Sequence, residues 1–401
     1  MAEQPLSDVR VLDLTWYIAG PACTKFFADY GADVIKIEKP DGGDPARRLG
    51  PFYKDDPHPE KSGLFLFLNT NKRSITLNLK THTGKKIFKK LVKNADILVE
   101  NFSPHVMPSL GLDYETLEKI NPRLVMTSIS NFGQTGPYRD FKASEIVIYA
   151  MGGAMCSTGL GDCEPVKKGM NVIQHQGGYM AATATMIAFY GARVQGVGQH
   201  VDVSLMETQM GAIDRRMSEL LAYEYNKELT PRMDIAGLLQ YPYGIFPCKD
   251  GYVDVAGGFM FLNRIEGVLG MSLMETYGGA NQFDETRREE FLRTIWYPWI
   301  LERTRKEIVE VCQAGRVLSA PINTTADLLA DPHFQQRGFW TEADHPVVGK
   351  LTYPGKPVIC SELPWKIRRP APLLGQHNEE VYTSLGYSKE DLVKMREGGI
   401  I

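Results

Sequence analysis

The chain has 401 residues, which at roughly 100–200 residues per domain excludes a single small module and predicts two domains. Forty-five Lys and Arg stand against 48 Asp and Glu, a formal charge of −3, so no broad electropositive field is available to a nucleic-acid backbone or an anionic membrane surface. With 43% hydrophobic and 23% charged residues the composition is that of a globular chain with a large core.

Apolar runs such as Ala181 to Tyr190 fall short of the roughly 18–20 residues that cross a bilayer. The opening MAEQPLSDVR lacks the apolar core of a secretory signal, so a cytoplasmic protein with no membrane or nucleic-acid partner is expected. The cysteines, Cys23, Cys156, Cys163, Cys248, Cys312 and Cys360, form no CxxC pair, and no HExxH-like spacing occurs. No metal is expected. Each cysteine reads as a small buried hydrophobe, with Cys23 set apart by its place near a helix start.

Along the first 130 residues, short β-branched runs alternate with helical patterns, the signature of βαβ units and a mostly parallel sheet. The strands are expected at Val9–Leu14, Asp33–Glu38, Ser74–Leu79, Asp96–Glu100 and Leu124–Ser130. Gly20-Pro21 opens a helix that ends near Gly31. Thr83-Gly84 opens another whose lysines 85, 86, 89, 90 and 93 leave Ile87, Phe88, Leu91 and Val92 to pack, so the lysine run is a solvated helix face. GGYMAATATMIAFY, Gly177 to Tyr190, is small and apolar all round and predicts a helix covered by neighbours or by another subunit. A short strand at His200–Ser204 and a long helix from about Leu205 to Asn226 follow. PYGIFPCKDGYVDVAGG reads as a hairpin, Tyr243–Pro247 with Tyr252–Ala256, in a second domain. Beyond Ala320-Pro321 the chain is rich in proline and turns until a helical tail at Lys389–Glu397.

Six segments in order, VRVLDLTWYIAGPACTKFFADYGADVIKIEKPDGGDPAR, FLNTNKRSITLNLK, ADILVENFSP, SNFGQTGP, RVQGVGQHVDVSLMET and RPAPLLGQHNEEV, give the whole chain a resemblance to the family III CoA-transferases. That group includes formyl-CoA transferase, carnitine CoA-transferase and the α-methylacyl-CoA racemases. The resemblance implies an α/β fold: a large Rossmann-like CoA-binding domain formed by both chain ends (1–225 and 322–401), a small α+β domain (226–321), and an interlocked dimer. It implies coenzyme A or an acyl-CoA as substrate, with no permanently bound cofactor. By motif, the CoA contacts would be Tyr17, Ile18 and Ala19 before Gly20-Pro21, then Lys39, Lys72 of NKRS, Asn101 and Phe102 of ENF, and Lys142. Without the family, Gly20-Pro21 is equally a helix start and Lys72-Arg73 a strand cap.

The chemistry implied by the resemblance rests on an aspartate that attacks the acyl-CoA thioester. In PVKKGMNVIQHQGGYMAA the corresponding residue, five after Gly169 and four before Gly178, is Gln174. A carboxamide is neither a nucleophile of this kind nor an acid–base group near neutral pH, so transferase and racemase chemistry fail together. His175, Asp140, Glu145 and Asp162 lie nearby in sequence and keep a substitute group open. Ser109 stands where relatives carry an arginine, and IAGLLQYPYG (235–244) replaces the glycine-rich loop that closes over the acyl group. An aromatic acyl group would suit Trp16, Tyr17, Phe259, Met260 and Phe261, which are equally plain core. The expectation is the non-catalytic subunit of a heteromer, interlocked with a paralogous subunit that keeps the aspartate; the pattern matches the two-subunit succinyl-CoA:(R)-benzylsuccinate CoA-transferase of anaerobic toluene degradation. The alternatives are a homodimeric acyl-CoA-binding pseudoenzyme and an active enzyme using another nucleophile.

Overall fold

The computed structural model describes residues 4–401 apart from 213–215, 230–231, 233–241, 258–261, 274, 276–284 and 364. The chain divides into two compact units, one comprising the residues up to Met155 with Lys167–Glu228 and Gln336–Ile401, the other Cys156–Val166 with Leu229–Gln335.

In the larger unit the βαβ alternation builds one sheet from β1 (Arg10–Asp13), β2 (Asp33–Glu38), β3 (Arg73–Thr76), β4 (Ile97–Glu100), β5 (Val125–Ser130) and β6 (Gln199–Ser204). Its strand order is β3-β2-β1-β4-β5-β6 and every pairing is parallel. This is the doubly wound dinucleotide-fold order, in which the winding reverses between β1 and β4 and leaves a crevice at their carboxyl ends. Its helices include α1 (Ala19–Asp29), α2 (Gly63–Leu68), α3 (His82–Val92), α4 (Val106–Leu110), α5 (Tyr114–Leu117), α6 (Glu145–Met151), α7 (Val172–Gln195), α8 (Leu205–Ala212) and α9 (Arg216–Asn226).

Successive strand residues face opposite sides, so the sheet carries two apolar layers. Val11, Val34 and Val99 pack with Phe27 of α1 and Ala181 of α7. Leu12, Ile35 and Leu98 pack with Phe88 of α3 and, from the end of the chain, Tyr382 and Leu392. Helix α3 starts at His82, one residue before the expected opening at Thr83-Gly84, because the Thr81 hydroxyl accepts the Gly84 N–H. Helix α7 runs five residues further toward its N-terminus than its small-residue run predicts. The Glu145 carboxylate accepts the N–H groups of Ile173 (2.8 Å) and Gln174 (3.2 Å), satisfying donors that a helix start leaves open. The long helix expected over Leu205–Asn226 is described as α8 and α9, with 213–215 outside the described residues.

The smaller unit contains the expected hairpin as β7 (Tyr243–Cys248) and β8 (Gly251–Ala256), extended by β9 (Leu318–Pro321) into an antiparallel sheet. Its core gathers around Trp296. The turn-rich tail also contains a hairpin that composition did not announce, β10 (Trp340–His345) with β11 (Gly349–Pro354), closed by Gly349 at φ 72°. No helix among the described residues is long and apolar enough to cross a membrane.

Candidate functional site

The crevice between β1 and β4 is built by two loops tied to each other. Asn101, directly after β4, accepts the Trp16 N–H at Oδ1 (2.8 Å) and donates from Nδ2 to the Trp16 carbonyl (2.9 Å). Its carboxamide is thus committed in both directions to the loop after β1, which makes Asn101 a brace for the crevice. Phe102 meets the Trp16 ring edge to face at 5.2 Å. Tyr17 adopts φ 64°, a left-handed conformation uncommon for a non-glycine residue, and its N–H donates to Asp44 Oδ1 at 3.1 Å.

Beneath these loops lies a chain of buried charges. Lys36 Nζ pairs with Asp44 Oδ2 at 2.9 Å and donates to the Thr15 carbonyl at 2.8 Å, with both side chains of the pair fully buried. Arg47 makes a two-pronged contact with Glu38, both bonds 2.8 Å. Burial alone pushes the Asp13 carboxyl up, but Lys36 and Lys72, with the Thr15 and Thr24 hydroxyls, outweigh it and hold the group at about 2. These ions satisfy one another and the loop backbone, and so fix the floor of the crevice.

Two cavities open at this point. The first, about 760 Å3, is lined by Tyr17, Ile18, Ala19, Asn101, Phe102, Lys142 and Gln174 among others. The second, about 610 Å3, lies over the ends of β1 to β3 and is lined by Trp16, Tyr17, Lys39, Asn101, Phe102 and Ser109 among others. Lys39 Nζ stands 6.0 Å from the centre of the Trp16 ring. Seven of the eight residues carried over by motif therefore meet at one crevice. Lys72 does not: its side chain is fully buried, and Nζ donates to Asp13 Oδ2, the Pro21 carbonyl, Thr24 Oγ1 and Asn69 Oδ1 at 2.7–3.1 Å. With every donor occupied and no part in either cavity wall, Lys72 ties β3 to the β1 end and the start of α1.

Gln174 sits in the first turn of α7 and lines the first cavity with Asn171, Glu145 and Asp140. Of the groups close to it in sequence, Glu145 has its oxygens taken by the α7 N–H groups. His175 does not appear in the cavity lining, and burial lowers its basicity. Asp162 belongs to the other unit. No site role was carried over for His105, which lines both cavities, for Ser130, which opens the segment SNFGQTGP, or for Arg139; the last two line the first cavity. One signal was present for Ser130: it ends a parallel strand, where ligands of such sheets bind. Phe259, Met260 and Phe261, and residues 235–241 of IAGLLQYPYG, lie outside the described residues.

A family model for CoA-transferase family III matches residues 6–378. The chain belongs to CoA-transferase family III. It is 34% identical, over 95% of its length and 96% of the relative's, to succinate–glutarate CoA-transferase of Agrobacterium fabrum. It is 30% identical, over 99% of its length and 98% of the relative's, to succinyl-CoA:(R)-benzylsuccinate CoA-transferase subunit BbsE of Thauera aromatica. The beta subunit of succinyl-CoA–L-malate CoA-transferase from Chloroflexus aurantiacus is 32% identical, again over 99% and 98%. A crystal structure of a CaiB/BaiF family protein from Brucella suis superposes with a TM-score of 0.84 at 30% identity, covering 96% of this chain and all of that one. The parallel sheet is thus that of the CaiB/BaiF fold.

Proposed function

We propose that this chain is the non-catalytic subunit of a heteromeric CoA-transferase, whose partner is a paralogous subunit carrying the nucleophilic aspartate. The observation that carries the reading is Gln174, a neutral carboxamide in the first turn of α7, facing the cavity where the family chemistry requires a carboxylate. An amide cannot form the acyl anhydride or the aspartyl-CoA thioester, so the CoA exchange between an acyl-CoA and an organic acid takes place at the partner's aspartate. The crevice of this subunit receives the CoA portion at Tyr17, Ile18, Ala19, Lys39, Phe102 and Lys142. Two of the similar proteins are themselves named as subunits, which fits a heteromer, and several act on succinyl-CoA, which makes succinyl-CoA the donor to try first, with benzylsuccinate among the acceptors.

A second chain also suits α7. Its small residues are covered, but Ile187, Tyr190 and Val194, spaced three and four apart along one face, are 69%, 70% and 68% exposed.

The test is transferase activity with succinyl-CoA and an organic acid acceptor, measured for the chain alone, for the chain co-expressed with an Asp-bearing paralogue, and for Gln174→Asp alone. The expected pattern is negligible turnover for the chain alone, turnover for the pair, and a gain of at least tenfold for Gln174→Asp over the unmodified chain. Robust turnover by the unmodified chain would overturn the assignment.

A further inference from the structure

The cavity that holds Gln174 contains two donors with nothing to donate to. Ser130 closes β5; the residue is 7% exposed, and its buried Oγ has no hydrogen-bond partner among the described residues. The Arg139 side chain is 39% exposed, but its Nε is buried without a hydrogen-bond acceptor; Asp140 Oδ1, its ion-pair partner, is 3.9 Å away, beyond hydrogen-bonding distance. Both residues line this one cavity. Buried polar groups are normally paired, so an orphan at a cavity wall needs either water or a ligand atom to complete it.

The chemistry of the orphans defines the missing group. A guanidinium N–H can only donate, and a hydroxyl donates readily, so the complement is an acceptor oxygen. Guanidinium donors favour anionic oxygens, carboxylate or phosphate, because a charge-assisted bond is shorter and stronger than a neutral one, and the coenzyme A arm of the experiment below separates the two. The surrounding charge agrees with an anion: Lys142 shares the wall, the Glu145 carboxylate is already engaged by the α7 N–H groups, and the Asp140 side chain is 67% exposed to solvent.

We infer that Ser130 and Arg139 form a carboxylate subsite that sets which acyl group this subunit holds, namely an acyl chain ending in a carboxylate, the monothioester of a dicarboxylic acid. This rests on the reading that the crevice binds CoA esters, and it adds the residues that select among them. The carboxylate could also be that of a free acid; the same experiment tells the two sources apart.

Titration calorimetry on the full chain compares succinyl-CoA, butyryl-CoA, coenzyme A and free succinate, for the unmodified protein and for Ser130→Ala, Ser130→Thr and Arg139→Gln. The expected result is that succinyl-CoA binds at least tenfold more tightly than butyryl-CoA. Ser130→Ala and Arg139→Gln should erase that preference while leaving butyryl-CoA and coenzyme A within twofold, and Ser130→Thr, which keeps a hydroxyl, should retain most of it. Succinate bound alone and lost in Ser130→Ala, with no binding of any CoA compound, would keep the subsite and sink the CoA-binding reading. Equal affinity for succinyl-CoA and butyryl-CoA, or a preference that survives both Ser130→Ala and Arg139→Gln, would overturn the inference and leave the two donors to water.

Discussion

Glu100 ends β4 beside the crevice, 3% exposed, and accepts the Phe102 N–H at 2.8 Å. Burial raises its carboxyl to about 7, with Asp202 adding to the rise and the Ser128 hydroxyl and the Phe102 N–H offsetting part of it. Ser128 in turn shares a 2.8 Å hydrogen bond with His200 Nε2. The sign of the consequence follows from proton linkage. Below the ordinary glutamate value of 4.5 both folded and unfolded chains hold the proton, and the burial goes unpenalised. From there to about 7 the unfolded chain ionises while the folded one does not, so stability falls as pH rises, by on the order of 3 kcal/mol when complete. His175, His200, His345 and His377, whose basicity burial lowers, contribute with the opposite slope, so the total curve alone cannot isolate Glu100. Glu100→Gln can, because the amide mimics the protonated acid and leaves the histidines in place. Urea unfolding at pH 5, 6.5 and 8 should find the variant close to the unmodified chain at pH 5 and increasingly more stable toward pH 8. A difference independent of pH would rule this account out.

At the scale of elements, the crevice depends on how closely α7 approaches α1, since α1 begins at the residues that line it. A Cβ at Gly178 would lie 2.5 Å from the Ala19 carbonyl oxygen and 2.9 Å from Ala22 Cβ, whereas at Gly191 of the same helix the nearest atom would be 3.8 Å away. Gly178→Ala should therefore cost about 1–3 kcal/mol through overpacking. Gly191→Ala should be neutral or stabilise by up to about 1 kcal/mol through helix propensity. Chemical denaturation midpoints of the two variants check this, and equal effects would show that the contact does not constrain α1. The small-residue run that makes this contact was legible in the sequence, as were the strands of the parallel sheet, because their apolar periodicity is local. What was not legible is where charges go. Lys36 and Glu38 of DVIKIE are both buried, because their partners Asp44 and Arg47 come from the following loop and only the fold brings them together. Lys72 misled for the same reason: its motif names the residue, but the direction of its side chain is set by Asp13, 59 positions away. The start of α7 escaped detection because its cap, Glu145, is 28 residues upstream.

For the whole molecule, the question is what covers α7. Its buried side is mostly small, Gly177, Gly178, Ala181, Ala182, Ala188 and Ala192 with Ile173 and Phe189, while Ile187, Tyr190 and Val194 face outward. Large apolar side chains left outward on a helix are what a contact with a second chain would cover, and the heteromer proposed above supplies one. The same helix carries Gln174 in its first turn, sixteen residues and roughly 24 Å from Tyr190 at 1.5 Å per residue. Because these outward side chains are not part of the subunit's own core, the double variant Ile187→Asp, Tyr190→Asp should keep its circular dichroism and unfolding midpoint while losing co-purification with the Asp-bearing paralogue and, with it, the transferase activity of the pair. Light scattering coupled to gel filtration supplies the mass. A double variant that still forms the complex would mean that the interface lies elsewhere and that the exposed face of α7 has no part in bringing the two subunits together.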